Sequence, residues 1–148
     1  MKSLALLFAC LLAAASVAAA PNAFRSGPVV LPAGETVMLE LAEQIQSHKM
    51  TAGRLAKFRV LKNVVVNGQV VIATGAFATG RVKSIEKSTY STPESITIEV
   101  VDVQAVDGQT VALSGLEQTF SAEWPNEPVV VPPGGMFAAN VMNQMVIR

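Results

Sequence analysis

The side chains that usually perform chemistry are few and scattered in this sequence. The chain of 148 residues has one histidine, His48, and one cysteine, Cys10, whereas metal sites need clustered His, Cys, Asp or Glu. Glu99 and Asp102 lie three residues apart on a predicted strand, a spacing that would place the two carboxylates on opposite faces. A catalytic triad would need His48 as its base, yet no serine lies in a Gly-x-Ser-x-Gly elbow. We therefore expect no enzymatic activity and no metal or other cofactor.

The first 19 residues have the layout of a secretory signal peptide. Lys2 gives a positive start, an apolar run extends over residues 4–15, and small residues end the segment. We predict residues 1–19 as a signal peptide and residues 20–148 as a single periplasmic domain. The residues before Cys10 loosely resemble a lipoprotein processing box, so a lipid-anchored product is one alternative and a fully secreted product is another. Without the leader the domain has no cysteine, and its stability must come without disulfides.

A strand-and-corner motif recurs three times and is the strongest structural signal. Each copy has three aliphatic residues, two further residues that are mostly Pro or Ala, a glycine, and an aliphatic residue seven positions after the glycine. The copies are Val29 to Gly34 with Leu41, Val70 to Gly75 with Val82, and Val129 to Gly134 with Val141. Consecutive aliphatic residues are typical of strands buried on both faces, and glycine permits the positive φ of a tight corner. The first and last copies correspond at an offset of 100 residues, which predicts that the two ends of the domain pack together.

Asn67-Gly68 and Asp107-Gly108 mark two further turns, each between β-forming residues. These dipeptides favour type I′ hairpins, in which both central residues have positive φ. The turn residues predicted from the sequence are Gly34, Asn67, Gly68, Gly75, Asp107, Gly108 and Gly134.

These signals predict an all-β domain, a small closed or partly open barrel of about seven to nine strands with at most one short helical turn. A turn near Thr51-Ala52-Gly53 is expected to lead into a strand from Arg54 to Leu61. Lys87 to Pro93 and Glu117 to Pro128 are predicted as loops.

The charges are divided between two halves of the sequence. Seven basic and no acidic residues lie between Gln44 and Ile85, and seven acidic and no basic residues lie between Ser88 and Ile147. Such a division can mark a nucleic-acid or membrane surface. The only aromatic residues of the basic half, Phe58 and Phe77, are expected in the core rather than stacked on bases, so we expect no nucleic-acid binding. The favoured interpretation is that basic and acidic strands lie side by side and neutralise each other.

The order of these segments resembles a set of uncharacterised bacterial exported β-domains. It is also similar, more distantly, to the β-barrel domain of TrbI-type scaffold subunits of type IV secretion systems. The resemblance is carried by Leu31 to Thr36, Asn63 to Gly80 and Val106 to Gly108. The first of these segments is also similar to the small β-clip domains of pilus and flagellar assembly proteins. The resemblance implies a barrel that serves in cell-envelope or secretion assembly.

We therefore expect a non-catalytic envelope module with a structural or protein-binding role. Its partner would be another envelope protein or a second copy of itself, with peripheral membrane contact left open. A transmembrane barrel would need aromatic girdles at both interfaces, and the mature chain has too few aromatics for them, so no transmembrane segment is expected after the leader. The alternative is a barrel that binds an apolar small molecule, because small side chains can leave a cavity inside a barrel.

Overall fold

The computed structural model describes residues 27–115 and 117–148, and the predicted leader lies outside the described residues. Within these residues, short strands account for almost all of the regular structure, with one 3-10 turn at Ser47–Lys49. The strands are β1 Val29–Leu31, β2 Thr36–Leu41, β3 Ile45–Gln46, β4 Leu55–Val60, β5 Val64–Val66, β6 Gln69–Ile72, β7 Phe77–Glu86, β8 Ser95–Gln104, β9 Thr110–Gly115, β10 Gln118–Ser121, β11 Val130–Val131, β12 Met136–Val141 and β13 Met145–Ile147.

One antiparallel sheet of seven strands forms the body of the domain, in the order β10-β8-β7-β4-β2-β12-β9. Strand β9 also pairs with the second half of β8, where Val103 lies opposite Val111. This pairing closes six of the strands into a barrel and leaves β10 outside the ring. The prediction of a small all-β barrel with one short helical turn is confirmed.

The two ends of the domain are interleaved about an approximate two-fold axis. Strand β2 pairs with β12, and Met38 lies opposite Ala138 near the centre of that ladder. Strand β1 pairs with β13, and β3 pairs with β11 in the corresponding register. The first and last copies of the motif therefore pack together, as their 100-residue offset predicts.

The corners of the motif share one hydrogen-bonding arrangement. Each corner glycine has a φ of +82° to +93°. Its N–H donates to the main-chain carbonyl of the aliphatic residue that lies seven positions after the glycine of another copy. That aliphatic residue donates its own N–H back to the carbonyl of the residue after the glycine. The glycine–aliphatic pairs, with the N···O distances of the first bond, are Gly34–Val141 (2.8 Å), Gly134–Leu41 (2.8 Å), Gly75–Val60 (2.8 Å) and Gly53–Val82 (2.7 Å).

Gly53 is therefore a fourth copy of the corner, beyond the three that the sequence predicts. Val60 follows it by seven residues, the same spacing as in the other copies. The residues at the place of the valine triplet are His48 to Met50, which lie in and after the 3-10 turn instead of forming a strand. The four copies form two pairs, and within each pair the glycine of either copy bonds to the aliphatic residue of the other.

The hairpins differ from each other in their turns. Asn67 and Gly68 both have positive φ, 50° and 76°, as a type I′ turn requires. At the second hairpin only Gly108 is positive, at 85°, so the prediction of a type I′ turn at Asp107-Gly108 is wrong. The N–H of Gly108 instead bonds to the carbonyl of Ala105. A turn followed by a left-handed glycine is the usual way to close a hairpin with a longer loop.

The interior of the barrel is filled by side chains. The rings of Phe58 and Phe137 meet edge to face, with centroids 4.8 Å apart at 78°. Gly80 on β7 makes room for the first ring, because an added Cβ would lie 2.5 Å from Phe58 Cε2 and 2.5 Å from the carbonyl oxygen of Glu99. Eight strands give an interior just wide enough for side chains to fill, so a six-strand ring has still less room for a ligand.

Candidate interaction surface

Glu99 and Asp102 lie on the same face of β8, contrary to the prediction from their spacing. Thr79 pairs with Asp102 but Gly80 pairs with Val100, which leaves Val101 as the extra residue of a β-bulge. A bulge shifts the alternation of a strand by one residue. Both carboxylates therefore point away from the core, and both are occupied. Thr79 Oγ1 donates to Asp102 Oδ1 at 2.6 Å, and Arg81 forms an ion pair with Glu99.

The two charged halves of the sequence meet along β7 and β8. Besides Arg81 and Glu99, Lys83 forms an ion pair with Glu117, which holds the pKa of the Lys83 ammonium above its ordinary value of 10.5. These contacts agree with the expectation that basic and acidic strands lie side by side. The ion pairs are exposed, and such pairs contribute little to stability.

Of the candidate residues, His48 lies in the 3-10 turn and Glu99 and Asp102 lie on β8, while Cys10 is outside the described residues. His48 is exposed in the 3-10 turn, and no group of three or more His, Cys, Asp or Glu side chains that could hold a metal occurs within residues 27–115 and 117–148. The predicted turn residues form the corners and hairpins described above. In the same ranges, no helix is both long enough and apolar enough to cross a membrane.

Within residues 27–115 and 117–148, three aromatic side chains are exposed. Phe77, expected in the core, points outward from β7 with the Arg59 guanidinium 4.8 Å from its ring centroid. Side chains alternate between the two faces of a strand, so Phe77 faces solvent because the next residue of β7, Ala78, is buried. Trp124, the only tryptophan, is 62% exposed, and Tyr90, the only tyrosine, is fully exposed.

Trp124 and Tyr90 occupy loops that are tied to each other. The main-chain N–H of Asn126 donates to Ser88 Oγ at 2.8 Å, which joins the loop after β10 to the loop before β8. The N–H of Ala122 donates to the carbonyl of Glu94 at 2.8 Å and extends the β10–β8 ladder to the base of both loops. The two aromatics thus lie on joined loops at one end of β10.

Strand β10 has an open edge. Because Ala122 bonds to Glu94 and opposite residues of an antiparallel ladder alternate between bonded and non-bonded pairs, Phe120 and Gln118 bond to β8. The N–H and C=O groups of Thr119 and Ser121 then point away from β8. No main-chain partner for these groups occurs in the described part of the chain.

Side-chain contacts hold β10 in place, and one of them reaches β12, since Gln118 Nε2 donates to the main-chain carbonyl of Met136 at 3.1 Å. Phe120 packs inward on Phe137, with ring centroids 6.1 Å apart. Thr119 and Thr97 share a hydrogen bond of 2.9 Å between their hydroxyl oxygens on the outer face. Strand β10 is short and carries no charge. Its pairing with β8 and these side-chain contacts hold the outward N–H and C=O groups of Thr119 and Ser121 in an extended conformation.

The charge next to this edge is negative. Glu123 and Glu127 flank Trp124 in sequence, and within the described residues neither carboxylate has an ion-pair partner. Of the other acidic groups nearby, Glu117 pairs with Lys83, and Glu94 Oε1 lies 3.6 Å from Lys87 Nζ but accepts no hydrogen bond from the described residues. Exposed aromatic rings, and carboxylates without ion-pair partners in the described ranges, therefore follow the end of β10.

Strand β10 is the element of this candidate surface that the sequence does not predict. The sequence predicts a loop over Glu117 to Pro128, whereas Gln118–Ser121 is a strand. The available signal was the alternation of polar and apolar residues around Phe120. Four residues are too few for that pattern to outweigh the Pro, Asn and Glu residues that follow it.

No protein-family model matches the chain, and no curated protein matches it significantly. The arrangement of the described residues is therefore the basis for the functional proposal.

Proposed function

We propose that this protein is a non-catalytic binding module of the bacterial cell envelope that contacts another envelope protein through β10 and its adjoining loops. The observation that carries the proposal is the open edge of β10 beside exposed Trp124 and Tyr90. Unpaired strand edges recruit extended chains, and natural proteins usually blunt or cover them. Tyrosine and tryptophan are enriched in interface hot spots.

The layout of residues 1–19 supports export as the setting. The resemblance to TrbI-type barrel domains favours a role in envelope or secretion assembly. A role as an apolar-ligand carrier is disfavoured because Phe58 and Phe137 fill the six-strand interior.

Site-specific photo-cross-linking in the native envelope tests the proposal. A photoreactive residue would be placed at position 124 and, as a matched control, at position 77, because Trp124 and Phe77 are both 62% exposed. We expect a discrete protein adduct from position 124 and none from position 77. An absence of adducts from both positions, with the protein exported and folded, would contradict the proposed function.

A further inference from the structure

The open edge of β10 also indicates what kind of partner it takes. We propose that it binds an extended, positively charged polypeptide segment, which adds to the sheet as a further strand beside Thr119 and Ser121. The inference rests on the proposed function and adds the conformation and the charge of the partner.

The main-chain geometry selects an extended segment. Thr119 and Ser121 each present one N–H and one C=O in the plane of the sheet. Such a row is satisfied by the main chain of another strand, whose own groups alternate with the same period. A helical ligand has its main-chain groups bonded internally and offers nothing to this row.

The charge selects a basic segment. Glu123 and Glu127 lie just beyond the end of β10 without ion-pair partners in the described ranges, and no basic residue occurs from Ser88 to Ile147. The exposed ring of Trp124 lies between these carboxylates in sequence. Lys and Arg are attracted both to carboxylates and to the face of an indole. Anionic lipid headgroups would instead be repelled by these carboxylates.

The same charges argue against a second copy of this chain as the occupant. A second β10 strand brings only the acidic residues Glu117 and Glu123 at its ends, and no Lys or Arg to meet the carboxylates of Glu123 and Glu127. Like charges brought together across a strand pair are destabilising. A partner with Lys or Arg near the end of its strand would meet these two carboxylates favourably.

Fluorescence titration tests the proposal, because Trp124 is the only tryptophan in the chain. The probes are three capped hexapeptides: KVTVTK, its acidic counterpart EVTVTE, and KPPPPK, whose consecutive prolines remove the N–H donors from both edges of a strand. We expect KVTVTK to shift the Trp124 emission with saturation. The affinity should be at least tenfold weaker for either other peptide, and it should fall as salt is raised.

Two variants locate the binding. Thr119→Pro removes an outward N–H while the bonds of Gln118 and Phe120 to β8 stay, so we expect at least a tenfold loss of KVTVTK affinity. The double variant Glu123→Lys with Glu127→Lys leaves β10 intact and should bind EVTVTE in preference to KVTVTK. If Thr119→Pro does not fold by circular dichroism, the double variant decides.

Equal binding of KVTVTK and KPPPPK would overturn strand addition, and equal binding of KVTVTK and EVTVTE would overturn the charge preference. Failure of all three peptides would overturn the inference. A dimer that Thr119→Pro dissociates in sedimentation would assign the edge to a second copy instead.

If wild type and both variants give the same envelope adduct from position 124, this inference fails while the proposed function stands. No adduct with any of them counts against the proposed function itself.

Discussion

Strands β7 and β10 belong to the same sheet but meet the solvent in opposite ways. Strand β7 is paired along both edges, by β4 and β8, and the ring of Phe58 packs against Gly80 of β7. Among the described residues, strand β10 is paired along one edge only, by β8. We propose that the two strands serve different purposes: the closed ring carries stability, and the strand left outside the ring presents its main-chain groups to a partner. Substitutions in the two regions should separate stability from binding.

Gly80→Ala should have the largest effect on stability. The added Cβ would lie 2.5 Å from both Phe58 Cε2 and the Glu99 carbonyl oxygen, and the carbonyl cannot move without disturbing the bulged ladder. We expect a loss of about 3 kcal/mol in the free energy of unfolding, measured by urea denaturation. Gly27→Ala is the matched control, because nothing lies within 4 Å of its added Cβ. Equal stability of the two variants would contradict the packing described for β7.

A pair of proline substitutions at facing threonines compares the closed and open regions directly. Thr97 and Thr119 share a hydroxyl hydrogen bond, but the N–H of Thr97 faces β7 and that of Thr119 faces solvent. Both variants lose the hydroxyl hydrogen bond, which contributes about 1 kcal/mol. Thr97→Pro should cost about 1–3 kcal/mol more than Thr119→Pro, because it also loses the ladder bond and leaves the acceptor of that bond unpaired. Thermal unfolding of both variants measures the difference. Similar losses would mean that the edge of β10 is covered.

Gly53→Ala tests the fourth corner. The φ of Gly53 is +90° and nothing lies within 4 Å of its added Cβ, so the cost is purely conformational. We expect a loss of about 1–2 kcal/mol in denaturant unfolding, similar to that of Gly34→Ala. Gly53→Asn should lose less, because asparagine tolerates the left-handed region better than alanine does. An unchanged stability for Gly53→Ala would remove Gly53 from the set of corners.

The smallest effect concerns Asp107, which fastens the end of the chain to the β8–β9 hairpin. Its carboxylate accepts the main-chain N–H of Arg148 at 3.0 Å and bonds of Gln109, and these hold its pKa below the ordinary value of 3.8. The folded pKa is depressed, so this contribution is present above about pH 4 and is lost as the pH falls through the folded pKa. Between pH 5 and pH 3, wild type should lose slightly more unfolding free energy than Asp107→Asn. A larger loss in the variant would contradict this assignment.

Much of the ring could be predicted from the sequence. The valine triplets and their glycines reveal three corners, and the 100-residue offset reveals the pairing of the two ends. The fourth corner was missed because His48 to Met50 replace the valines, although the spacing from Gly53 to Val60 was visible. The bulge at Val101 gave no signal, since no glycine or proline marks it and it depends on the register with β7.

The candidate surface was much harder to predict. Strand β10 is four residues long, and its position depends on the packing of Phe120 against Phe137 and on the ladder with β8. Neither contact is local in sequence. The openness of its far edge is a property of the whole topology, because it follows from β9 closing the ring with β12 and β8.

Amide hydrogen exchange resolved by residue tests the central claim most directly. In the free protein, the amides of Thr119 and Ser121 should exchange rapidly while those of Gln118 and Phe120 are protected by β8. Addition of KVTVTK should slow exchange at Thr119 and Ser121 at least tenfold. Protection of these two amides in the free protein, or no change on adding the peptide, would contradict the account of β10 as an open binding edge.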